Sequence, residues 1–203
     1  MLRSSWISAR RQSKLRYILR GPAAGRSKLK LHVAEASGVR VHTIMIEQYR
    51  RWFTYERDVH RLALDSLTRL TDSQKETASF QKAVDLLAHV IAARRMWLFR
   101  FGVTTDPIEL FPREVGIETL TALLQQMESD WDRYLASITD EDLERVFEYT
   151  SYEGKRFRNS IGDILTQLFG HSWYHRGQIA ALVRSLGGEP AVTDFVYWAR
   201  EAI

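Results

Sequence analysis

The chain has 203 residues, enough for one well-buried domain and too few to make two large ones. It contains no cysteine, which excludes disulfides, thiolate metal sites, iron-sulfur clusters and a cysteine nucleophile, so any metal must be held by nitrogen and oxygen. Residues 1–44 hold ten of the 29 bases and one of the 25 acids, leaving 19 bases against 24 acids in the remainder; the net charge of +4 therefore says nothing about the ligand of a mildly acidic body.

Residues 1–43 show no sustained apolar period, carry Gly21, Pro22, Gly25 and Gly38, and cluster their bases; they are expected to be a disordered or loosely helical extension. Three origins fit: a start assigned too early, with Met45 the true first residue; a basic arm that contacts another molecule; or an Arg-rich, acid-poor mitochondrial targeting segment. The uncharged apolar runs, such as LLAHVIAA at 86–93, fall far short of the roughly 18–20 residues a spanning helix needs, which reads as a soluble protein.

From Met45 the spacing of Ile46, Tyr49, Phe53, Val59, Leu62, Leu67 and Leu70 predicts a first long helix. A polar connection, TDSQKETAS, follows, with Ser79 a candidate N-cap for a second helix whose apolar face runs through Leu86, Val90, Ala93 and Trp97 and which Gly102 closes. Residues 104–114 contain Pro107 and Pro112 and read as an irregular crossover. A third helix is lined by Ile117, Leu120, Leu124, Met127, Trp131 and Leu135. The period then alternates about Glu153-Gly154, predicting a short hairpin that can bury Val146, Tyr149 and Phe157. Ser160 with Asp163 resembles a capping box opening a fourth long helix, which ends at Gly187-Gly188 before Pro190. A C-terminal segment with Phe195, Tyr197 and Trp198 is expected to pack back on the body. The sum is an all-α four-helix bundle over residues 44–203 with a short β-hairpin before the last long helix.

The fourth helix carries GHSWYHRGQ, in which His171 and His175 lie one turn apart on one face, close enough to share an ion. Ile164, Leu168, Ile179 and Leu182 continue that stripe, which places the pair on the side expected to face the bundle interior. His89, among Leu86, Leu87, Val90 and Ala93, is a third candidate on the second helix. Three neutral imidazoles would leave a zinc-like ion an open position for water or substrate. The plainer readings stand beside this one: histidines four apart on an exposed face, and His89 as a core histidine bonded to a carbonyl. Arg176 fits a structural ion pair better than an anion contact, Gly177 suits close approach of a neighbouring segment, and Gln178 is either solvated or the partner that orients a ligand imidazole. Trp173 and Tyr174 read as core or dimer-interface packing. The aromatic first helix carries no recognisable nucleic-acid motif, and nucleic acid is not an expected partner of the body.

The combination of HSWYHRGQIAALVRSLGGEP, the hairpin before it, LLAHVIAARRMW and QYRRWFTYERDVHRLALDSL resembles the DinB-like (DinB/YfiT) superfamily of metalloenzymes, over about residues 45–200. That resemblance implies a bundle with crossover connections, commonly homodimeric, holding a divalent metal (zinc, nickel or iron) through His89, His171 and His175, with a metal-bound water or thiol as the reactive group. Relatives include thiol-dependent S-transferases that use low-molecular-weight thiols. The expected function is thus a cytoplasmic metal-dependent enzyme acting on a small molecule, with a non-catalytic, stress-associated metal-binding protein as the alternative.

Overall fold

The computed structural model describes residues 45–202, and the expectations for residues 1–43 lie outside the described residues. Four long helices form the body: α1 (Met45–Thr68), α3 (Ala78–Arg100), α4 (Ile117–Ser137) and α6 (Ile161–Ser185). Between them lie two short helices, α2 (Asp72–Lys75) and α5 (Asp140–Glu144), and a hairpin of β1 (Val146–Thr150) and β2 (Arg156–Ser160); α7 (Phe195–Ala199) ends the chain. α1 and α3 each pack against both α4 and α6, so the four apolar stripes enclose one core. Trp131, Leu67, Leu87, Leu98, Leu120 and Met127 are fully buried there. Leu62, expected on the inner face of α1, is instead exposed, because it is rotated about 100° around the helix from Ala63 on the Val59, Ala63 and Leu67 line that the bundle covers.

The helix ends show how side chains replace missing backbone partners. The predicted cap at Ser79 is displaced to Thr77, whose hydroxyl accepts the Phe80 N–H at 3.2 Å. The preceding polar stretch is not a plain connection either: Thr71 and Gln74 form a reciprocal capping box that opens α2. From α2, Gln74 reaches across to donate to the Leu186 carbonyl at 2.6 Å, at the far end of α6. Arg50 similarly donates to the Leu135 and Ile138 carbonyls at the C-terminus of α4. Ser160 caps α6, accepting from the Asp163 N–H at 3.0 Å as the spacing predicted.

The hairpin pairs Val146 with Ser160 through Thr150 with Arg156. Its inward side is Phe147 and Tyr149, which meet Trp97 with ring centroids 6.5 and 4.8 Å apart, and not Val146 and Phe157, both of which are exposed. Val146 falls on the opposite face of β1 from Phe147 and Tyr149, a matter of one residue of phase, whereas Phe157 pairs with Tyr149 on the same face and stays exposed although its ring lies 6.1 Å from that of Tyr149. The hairpin therefore sits over the C-terminal end of α3, where Arg100 donates to the Thr150 carbonyl at 3.1 Å. The C-terminal segment does pack back: Phe195 and Trp198 meet Tyr55 edge-on, and the Trp198 indole donates to Asp58 at 2.8 Å.

Candidate metal centre

Helix geometry brings three imidazoles together where α3 lies along α6. His171 and His175 are one turn apart, with ring centroids 4.5 Å from each other, and His89 of α3 faces them at 5.0 and 5.1 Å. One ring nitrogen from each falls within 4.8 Å of the others, and no further His, Asp or Glu joins this group among the described residues. All three are half-buried. This corrects the expected inward placement: the buried spine of α6 runs through Leu168, Ser172, Arg176, Ile179 and Val183, and the histidines lie beside it, facing the groove between two helices. The predicted apolar face of α3 is shifted in the same way. Leu86, Ala93 and Trp97 are only half-buried and flank His89, while Phe80, Ala83, Val84, Leu87 and Ile91 fill the core.

The outer nitrogens of two of these rings are fixed by neighbours. His89 Nδ1 lies 2.7 Å from the Leu110 carbonyl oxygen, which can only accept, so Nδ1 carries the proton and Nε2 presents its lone pair to the other histidines. His175 Nδ1 lies 3.0 Å from Gln178 Oε1 and is oriented in the same sense. His89 Nε2 and His171 Nε2 are 3.1 Å apart, and two lone pairs at that distance repel unless a cation or a proton lies between them. The donor set and its orientation thus fit a divalent ion that accepts imidazole. Burial, with the neighbouring His175, His89 and Arg94, pulls His171 down to about 4. Burial also lowers His175, against the opposing effect of its bond to Gln178. Both rings are held neutral at ordinary pH, the form that binds metal.

The segment predicted only as an irregular crossover supplies a strap across this site. Phe111 stacks on His89 with centroids 4.9 Å apart and planes within 9° of parallel, while the residue before it provides the Leu110 carbonyl. Tyr152 at the hairpin tip meets Phe111 edge-on at 6.0 Å. A cavity of about 280 Å³ opens on the His175 side, and a smaller one of about 160 Å³ on the His171 side; His89 borders both.

Other residues behave differently from one another. Arg176 turns away from the histidines into the core, donating to Glu56 Oε1 at 2.5 Å and to the Tyr55 hydroxyl at 2.9 Å, which fits the ion-pair reading and not a role at the site. Among the described residues nothing lies within 4 Å of a Cβ built at Gly177, so none of them makes the expected close approach. Trp173 and Tyr174 are exposed. Sequence reasoning missed the buried group that receives Arg176: Glu56 also accepts from Arg94 at 2.8 Å, and fully buried His60 lies 3.5 Å from the same carboxylate. Its only sequence signal was Arg94 following the apolar run on the second helix.

The family model for the DinB family matches residues 41–202, which includes every described residue. The chain belongs to the DinB family. A crystal structure of a DinB-like protein from Bacillus cereus ATCC 10987 is similar, with 22% identity, a TM-score of 0.54, and coverage of 72% of this chain and 96% of that one. At that identity the likeness speaks for the fold alone. No curated protein matches the chain. Among the described residues of this DinB-family protein, no helix is long and apolar enough to cross a membrane.

Proposed function

We propose that this DinB-family protein is a metal-dependent enzyme whose divalent ion, zinc, nickel or iron, is held by His89, His171 and His175, and that it catalyses a thiol-dependent S-transfer to a small electrophile. The observation that carries the proposal is the convergence of one nitrogen from each histidine within 4.8 Å, with cavities on both flanks. A divalent ion at such a site supplies Lewis acidity, which favours thiolate over thiol at neutral pH. The chain's own groups do the rest. Leu110 and Gln178 hold protons on the outer nitrogens of His89 and His175, and Phe111 covers one face of the His89 ring. The flanking cavities leave room for a thiol and an acceptor beside the histidines. In the transfer the thiol proton passes to solvent, the sulfur bonds to the electrophilic carbon, and the leaving group departs with the electron pair of the bond that breaks.

A structural or vestigial metal would be better served by a sealed site or a fourth protein ligand, and the three-histidine group with open flanks favours the enzyme over that non-catalytic reading. We further propose a cytoplasmic location and a homodimeric state; the exposed aromatic surface of Trp173 and Tyr174 supports the dimer alone. The test is a panel of low-molecular-weight thiols against a chromogenic electrophile, run on metal-loaded and chelator-treated protein. Turnover that requires both metal and a particular thiol is the expected result. Absence of metal-dependent turnover with every thiol would remove the S-transferase assignment.

A further inference from the structure

The larger cavity beside the histidines has a mixed wall. Leu86, Phe111 and Pro112 give it an apolar lining, and His89 and His175 stand at its inner side. Lys82 and Arg113 approach from two different segments, the first turns of α3 and the strap. Neither cation enters an ion pair among the described residues. The one acid of the lining, Asp85, accepts from Gln81 Nε2 at 2.9 Å, so two cations face one carboxylate that already has a partner. The smaller cavity is different. Its cation, Arg100, is committed to the Thr150 carbonyl and lies over the Trp97 and Tyr149 rings.

Resting on the proposed metal-dependent reading of the same site, we infer that the cavity formed by α3 and the 111–113 strap is the substrate-recognition site, and that it takes a small molecule with an apolar body and an anionic group, carboxylate or phosphate. Lys82 and Arg113 pair with the anion. Leu86, Phe111 and Pro112 cover the apolar body, and the ligand's other end lies against His89 and His175. A volume of about 280 Å³ has room for a single-ring compound with a short anionic arm. The charge sets selectivity, because an uncharged ligand of the same shape gains the apolar contacts without the two cations.

The probes are phenylacetate and phenyl phosphate, with phenylacetamide as the uncharged control, titrated into the chelator-treated full chain at about pH 8, well above the ordinary histidine range. Binding is read from backbone amide resonances. At least one anion is expected to shift signals within residues 82–89 and 111–113 and to bind about fivefold more tightly than the amide, a preference that weakens with added salt. Lys82→Gln and Arg113→Gln should each weaken the anion by roughly twofold, and the double variant by roughly fivefold, while phenylacetamide is unchanged. Equal binding of anion and amide, unchanged anion binding in both variants, or shifts confined to other parts of the chain would overturn the inference. Zinc titration of the same samples separates this result from the metal reading: zinc uptake without anion preference defeats the anion site alone, and anion preference without zinc uptake defeats the metal alone.

Discussion

His89 Nδ1 donates to the Leu110 carbonyl at 2.7 Å, and this single bond decides which nitrogen of His89 faces His171 and His175. The corresponding bond for His175 comes from a side chain, Gln178, at 3.0 Å, and can therefore be removed. Gln178→Leu should leave the fold intact and weaken zinc binding by about tenfold to a hundredfold, because the imidazole loses its orientation and some basicity. Competition with a chromophoric chelator measures this, and an unchanged affinity would show that Gln178 does not orient the ligand.

The buried charges predict an order of destabilisation. Glu56 accepts from Arg94 and Arg176, so the three carry one net positive charge in the core. Burial works against the Glu56 carboxylate, yet His60, Arg94 and Arg176 together hold it below the ordinary carboxylate range. Glu56→Gln strands two guanidiniums and should cost about 3–5 kcal/mol. Arg94→Met leaves a matched pair between Glu56 and Arg176 and should cost less than half as much. Urea unfolding of the two variants gives the ranking, and the reverse order would contradict this account of the cluster.

Stability should fall with acid in a defined window. Burial pushes His60 down to about 3, with Arg176 and Arg94 adding to the effect and Glu56 opposing it. The unfolded chain binds a proton on this side chain near the ordinary value of 6.5, whereas the native state refuses it until about 3. Over that interval the unfolded state holds more protons, so stability is full above the upper value and is lost as pH drops. Denaturant midpoints of chelator-treated protein should decline from about pH 7 to pH 4, with a shallower slope in His60→Gln. Equal slopes would mean that His60 is not held neutral.

Two glycines should respond oppositely to alanine. A Cβ at Gly188 would stand 2.4 Å from Leu70 Cδ2 and 3.1 Å from Val183 Cγ1, so Gly188→Ala should cost about 1–3 kcal/mol through forced repacking. Gly177 lies within α6 with nothing within 4 Å of its Cβ position, and Gly177→Ala should stabilise by about 0.5–1 kcal/mol through helix propensity. Thermal melts distinguish them, and a loss of stability at Gly177 would indicate a neighbour not present in the folded monomer.

What the sequence revealed follows from how local each signal is. The helices were legible because apolar spacing is a property of one segment, and His171 with His175 because four residues make one turn. His89 was a third candidate from its place among apolar residues on a helix able to pack beside the fourth, and the family resemblance strengthened it as a ligand. The Leu110–Phe111 strap was not legible, since a loop's contacts are set by the elements it closes over. Glu56 and Arg94 were hidden because charges on amphipathic helices ordinarily face water, and only the packed bundle shows that these do not. Thr77 and Ser79 both suit an N-cap, and the phase of α3 chose the first.

The central claim is that His89, His171 and His175 together hold one divalent ion, and zinc titration of the full chain by calorimetry tests it most directly. The account predicts one tight site per chain, lost or weakened at least a hundredfold in each of His89→Ala, His171→Ala and His175→Ala while the helical circular dichroism is retained. Zinc binding of the same stoichiometry and affinity in the wild type and all three variants would contradict it.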